Sequence, residues 1–106
     1  MAEELQTGTA EVFTLSRPVV YEGTEYKELA LDFEKLTGDD ILSCDRQYRA
    51  EQNRAGGNIS LAPETEKAYQ AYIVAKAAGV HVGLIRSVSA KDFTRLTLRA
   101  RNFLLL

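Results

Sequence analysis

Leu29, Leu31 and Phe33 alternate with Ala30 and Asp32, a period of two that lays one apolar face along an extended strand. Upstream, residues 11–20 hold Val12, Phe13, Thr14, Leu15, Val19 and Val20, side chains that suit a pleated surface. Glu22-Gly23-Thr24 stands between the two runs as a turn signal. A hairpin is predicted, with Phe13, Leu15, Leu29 and Leu31 on its packed face. Pairing across a Gly23-Thr24 loop sets Tyr21 opposite Tyr26, an aromatic cross-strand contact. Pro18 has no N–H for a ladder and is expected at an edge or a bulge. A lone hairpin is marginal in water, so its apolar face must rest on helices.

The period then lengthens. Thr37 is placed to accept from the backbone N–H of Asp40, and Asp40 occupies the returning position of a capping box. Leu36 and Ile41 can close a hydrophobic staple around that start. A first helix is predicted from about Gly38 to about Asn53, with a narrow stripe of Ile41, Cys44, Asp45 and Tyr48. Arg54-Ala55-Gly56-Gly57-Asn58 breaks it. Pro63 suits the first position of a second helix, and Glu64 and Glu66 suit the positive end of its dipole. There Ala68, Tyr69, Tyr72, Ile73 and Lys76 recur at spacings of three and four, and Gly79 ends the pattern. Residues 80–88 form a connector with room for one short helical turn. Ser89 caps a third helix, Asp92 stands three residues on, and Val88 and Phe93 repeat the staple. Phe93, Leu96, Ala100, Phe103 and Leu104 share one face of this helix, whereas Leu98, Leu105 and Leu106 fall off it.

These elements make an α+β domain, an N-terminal β-hairpin packed on a small bundle of three main helices. Residues 1–10 are polar and aperiodic and read as a flexible N-terminus; residues 11–106 read as a single domain. A chain of 106 residues is one domain on length alone.

Charge refines the picture. The net charge of −2 disfavours a general nucleic-acid binder. Residues 1–40 hold ten acids and three bases, while residues 86–101 hold Arg86, Lys91, Arg95, Arg99 and Arg101 against Asp92 alone. The basic helix either faces solvent and the protein's own acidic hairpin, or presents a docking face to an acidic partner. Cys44 is the single cysteine, lies in an apolar helical pattern, and reads as a small core residue. No signal-peptide pattern opens the chain, and the run from Tyr72 to Ile85 is too short and too interrupted to span a bilayer. A soluble protein of the cell interior is expected.

No residue set calls for catalysis. His81 is the only histidine, and no pattern joins it to Cys44. Paired Cys/His spacings of a zinc site are absent, and Gly56-Gly57 lacks the lysine and hydroxyl of a phosphate loop. Asp39-Asp40 is explained by helix capping and the dipole. The expectation is a binding protein with no catalytic, cofactor or metal residues. Its candidate partner-binding residues are Tyr21 and Tyr26, taken to lie on the exposed side of the hairpin, the basic row Arg95 and Arg99, and the apolar end Phe103, Leu104, Leu105 and Leu106. That end either closes the core or meets a partner or a second copy of the chain.

Two blocks carry a resemblance. The first is Tyr21-Glu22-Gly23, Tyr26, Leu29, Leu31, Phe33, Leu36-Thr37-Gly38 and Asp40. The second is Ala68-Tyr69, Ala75-Lys76-Ala77-Ala78-Gly79-Val80, Asp92-Phe93 and Asn102-Phe103-Leu104. Over about residues 12–104 the chain resembles the phage tail assembly chaperones of Mu-like and related contractile-tailed phages and prophages. His81-Val82 and the Gly56-Gly57 loop depart from that pattern. The resemblance implies a non-enzymatic protein that binds the tape measure protein and keeps it soluble during tail assembly. It implies a second partner in the tail tube protein, action in the cytoplasm of the bacterial host, and absence from the mature virion. No membrane or nucleic acid is expected as partner. The competing reading from the residues is a small nucleic-acid-binding regulator that uses the basic helix 89–104.

Overall fold

The computed structural model describes residues 10–57 and 60–106. The flexible N-terminus expected for residues 1–10 falls, Ala10 apart, outside them, as does Asn58 of the glycine loop. The hairpin comprises β1 (Glu11–Tyr21) and β2 (Thr24–Leu31), paired antiparallel. Four helices follow: α1 (Gly38–Ala55), α2 (Lys67–Ala78), the short α3 (Val82–Ser87) and α4 (Ala90–Leu105). The fold is α+β, a hairpin on three main helices.

The hairpin tip differs from the expected pairing. Tyr21 stands opposite Thr24, and Tyr26 stands opposite Val19. The loop is the two residues Glu22 and Gly23, with φ of 50° and 82°. Positive φ at both central positions gives the turn whose twist matches the strands it joins. That match outweighs the gain from facing the two tyrosines, which become diagonal neighbours. Between Thr14 and Val19 the ladder shifts register, and Pro18 lies in this irregular stretch, where its missing N–H costs no ladder bond.

Thr37 and Asp40 form the capping box as expected. The Thr37 hydroxyl accepts from the Asp40 N–H at 3.3 Å, and the Asp40 carboxylate accepts from the Thr37 N–H at 2.9 Å. Gly56 closes α1 in the left-handed conformation, and Gly79 does the same for α2. The start of α2 is later than Pro63 suggests. Pro63–Thr65 is a separate 3-10 turn, and Glu66 is extended, with ψ of 131°, so the α-helix begins at Lys67. Gln70 ties the two pieces together by donating from its side-chain amide to the Glu64 carbonyl at 2.7 Å.

Helix α2 is the centre of the molecule. Its threes-and-fours spacing suggests one buried face, yet every residue from Tyr69 to Ala75 is buried, and so is Ala77. Helices α1, α3 and α4 and strand β2 all pack on it. Ala71, Ala75 and Ala77 are small enough to let those neighbours approach on the sides that carry no large residue. Helix α1 runs antiparallel to α2, since Cys44 meets the Tyr72 carbonyl while Tyr48 meets Tyr69 further down. Phe13, Leu15, Leu29 and Leu31 join Ile73, Leu84, Ile85 and Leu96 in one core. The Asp32 N–H donates to the Ala77 carbonyl at 3.1 Å, which pins the end of β2 to the end of α2.

Candidate partner-binding surface

The expected binding residues divide sharply by environment. Tyr21 and Tyr26 do not lie on the exposed side of the hairpin. Both are half-buried on its packed face. The Tyr21 hydroxyl lies 3.2 Å from His81 Nδ1, and the two rings stack with centroids 6.2 Å apart. His81 Nδ1 also accepts from the Gly83 N–H at 2.9 Å, so His81 caps α3 while it seats the hairpin tip. An N–H acceptor at Nδ1 requires that nitrogen's lone pair, which places the ring proton on Nε2.

Arg99 is engaged within the chain. Its Nε donates to Glu11 at 2.7 Å, and its guanidinium lies over the Phe13 ring, 4.8 Å from the centroid. The acidic hairpin thus takes up part of the basic helix. Arg95, four residues earlier, is exposed. At the apolar end, Phe103 stacks on Phe33 with centroids 5.4 Å apart, and Leu104 packs against the core. Leu105 is 47% exposed and Leu106 is 96% exposed. Phe103 and Leu104 thus close the core, whereas Leu105 and Leu106 stay at the surface.

Asp92 has a role that its place in a capping pattern does not convey. Ser89 accepts from the Asp92 N–H at 3.2 Å, as a cap should. The Asp92 carboxylate is fully buried and reaches across to the irregular part of β1. It accepts from the Ser16 N–H at 3.0 Å, the Ser16 hydroxyl at 3.1 Å and the Ser89 hydroxyl at 3.0 Å. Burial pushes this carboxyl upward, but the hydrogen bonds from Ser16, Ser89 and the Arg17 backbone outweigh it and hold it below the usual carboxylate range. The one acid of α4 is therefore turned inward. The helix's outer face carries Lys91, Arg95 and Arg101 around the exposed leucines 98 and 105.

A concavity lies elsewhere, between α1 and the α2–α3 corner. A space of about 300 Å³ is lined by Gln47, Tyr72, Lys76, Gly79, His81 and Val82. It continues past Tyr72 into a second space of about 440 Å³ edged by Ala50, Glu51, Arg54 and Arg86. One oxygen of Glu51 organises this wall. It accepts from the Tyr72 hydroxyl at 2.8 Å and from Arg86 Nη2 at 2.7 Å, while the Arg86 guanidinium covers the Tyr72 ring at 5.4 Å. The Arg86 hydrogen bond holds Glu51 below the usual carboxylate range, and burial leads in pushing the Tyr72 hydroxyl up. None of Glu51, Tyr72, Arg86 and His81 stood out in the sequence as a binding residue. Glu51 and Arg86 are 35 positions apart, and no local pattern signals such a pair.

Among the described residues no group of three or more His, Cys, Asp or Glu side chains could hold a metal ion, and no helix is long and apolar enough to cross a membrane. The surface carries a polar groove with an ordered wall and a cationic helix face with exposed leucines. Comparison with protein-family models, with curated proteins and with solved structures finds no match to the chain.

Proposed function

We propose that the chain is a phage or prophage tail assembly chaperone that binds the tape measure protein and keeps it soluble while the tail is built. The observation that carries this reading is where the two resembling blocks meet. Phe33 of the first stacks on Phe103 of the second, and Asp92 of the second holds β1 of the hairpin to which the first belongs. The residues that carry the resemblance thus lie in one docked unit, hairpin on helix α4. A chaperone of a helical, apolar client also needs uncovered apolar side chains rimmed by charge. Leu106, 96% exposed at the end of α4 and five residues after Arg101, is such a side chain. On this reading the protein acts in the host cytoplasm, has no catalytic role and is left out of the finished virion.

The test is co-expression with the tape measure protein of the same genome, followed by pull-down. The expected result is a soluble client that co-elutes with the chain. A client that stays insoluble and absent from the eluate overturns the reading. Salt-dependent binding of duplex DNA would then favour the nucleic-acid regulator. That alternative draws little from the geometry, because Arg99 is paired with Glu11 and the whole of α3 stands between α2 and α4.

A further inference from the structure

We infer that the chain associates with a second copy of itself, the outer face of the hairpin in one copy docking on the outer face of α4 in the other. The argument starts from the hairpin's unpacked side. At the base of the hairpin Phe13, Leu15, Leu29 and Leu31 face the helices, and beyond the register shift Val19, Tyr21 and Tyr26 do, so the exposed residues between them face away in each half. Val12 and Val20 on β1 are 62% and 67% exposed, and they stand opposite Ala30 and Glu25 on β2. Glu28, opposite Thr14, is exposed on the same strand. The outcome is an apolar strip with carboxylates at Glu25 and Glu28.

Helix α4 offers the complement. Leu98 and Leu105 are seven residues apart and so lie on one line of the helix, 49% and 47% exposed. Lys91, Arg95 and Arg101 flank that line, and the one carboxylate of the helix is spent inside on Ser16. The apolar strips are similar in length: Glu25 to Ala30 is about 17 Å of strand, and Lys91 to Leu105 is about 21 Å of helix.

One copy cannot satisfy both faces by itself. Arg99 and Asp92 mark the side of α4 that the hairpin already occupies, through Glu11 and Ser16, and the leucine line is turned away from them. The hairpin's outer face points away from the helices altogether. Opposite charge around apolar side chains, on two surfaces that cannot meet within a molecule, selects a second copy as the occupant. The contact is of unlike faces, so it occurs twice in a closed dimer or once per step in an open assembly.

Sedimentation of the full chain at low and high salt tests the proposal. The wild type should self-associate at low salt and dissociate as salt screens the charges. A hairpin-reversed variant, Glu25→Lys with Glu28→Lys, should associate at least ~10-fold more weakly, and so should an α4-reversed variant, Arg95→Glu with Arg101→Glu. Circular dichroism of both should match the wild type, because all four side chains are exposed. Mixing the two variants should restore association, since each then meets a face of opposite sign. A wild type that is monomeric at low salt overturns the proposal. Variants that associate as tightly as the wild type overturn it too. So does a mixture of monomeric variants that stays monomeric. If the wild type is monomeric and the α4-reversed variant loses the tape measure protein in pull-down, the leucine line serves the client and not a second copy.

Discussion

Replacing Asp92 with asparagine separates a local helix cap from a long-range anchor. Asp40 and Asp92 occupy the same position in two capping patterns, three residues after Thr37 and Ser89. Asp40 returns its carboxylate to its own cap residue, at the surface. Asp92 is fully buried and accepts from two Ser16 donors and from Ser89. Asparagine keeps one acceptor oxygen, which can meet all three donors from the Oδ2 position, but it loses the charge and sets a buried, unpartnered amide N–H₂ against the Ser16 N–H. Hydrogen bonds to a charged group contribute about 1.5–3 kcal/mol each, and an orphaned buried donor costs a similar amount. Asp92→Asn should therefore destabilise the fold by about 2–3 kcal/mol, a fall of about 10–20 °C in melting temperature for a domain of this size. Asp40→Asn should produce a several-fold smaller shift. Urea unfolding followed by circular dichroism measures both, and an unchanged slope would show that the midpoint shift reports stability. Equal midpoints for the two variants would refute the anchoring role. The pH dependence gives an independent check. The Asp92 carboxyl is depressed in the fold, so its stabilisation is present above the unfolded carboxylate pKa of about 3.9 and is lost as pH falls through the lower folded value. Asp92→Asn should flatten the acid limb of the stability curve.

Four further outcomes are expected. Thr37→Ala and Ser89→Ala should each cost about 0.5–2 kcal/mol in thermal melts through their lost caps, with Ser89 the costlier because its hydroxyl also serves Asp92; no change in either would contradict the assigned helix starts. Glu22→Asn should stabilise the hairpin by up to about 1 kcal/mol, since Glu22 sits at φ 50° where asparagine is better tolerated; a destabilised variant would mean that the Glu22 side chain makes a contact worth more than the backbone strain. Burial pushes the Cys44 thiol up to about 11, so a thiol reagent at pH 8 should leave the native chain unlabelled and react on unfolding; rapid native labelling would show that the α1–α2 interface opens. Deleting Leu105-Leu106 should leave the melting temperature nearly unchanged, whereas Phe103→Ala should lower stability by about 1–2 kcal/mol, less than a fully buried aromatic costs. Equal losses would show that the exposed leucines belong to the core.

The order of elements was legible in the sequence because it rests on local physics. The capping box at Thr37 and Asp40 involves atoms three residues apart, the closing glycines 56 and 79 act on their own backbone, and the alternation of Leu29 and Leu31 needs only the pleat of one strand. The inner face of α4 followed from its spacing for the same reason. What the sequence left open lies in contacts between distant segments. The two signs of charge on hairpin and helix were plain, but the pairing of Glu11 with Arg99, 88 positions apart, was not. That Asp92 faces inward to Ser16, 76 positions away, became visible only when β1 was laid against α4. The groove formed by Tyr72, Glu51, Arg86 and His81 exists because α1, α2 and α3 share one corner, and each of those residues looks ordinary in its own segment. The burial of α2 on every side has the same origin: local periodicity reports one preferred face, whereas the number of faces covered is set by how many neighbours the chain brings around it. Local hydrogen bonding and side-chain period thus determined the elements, and the packing of elements far apart in the chain decided which charges were spent inside the molecule and which remained on its surface.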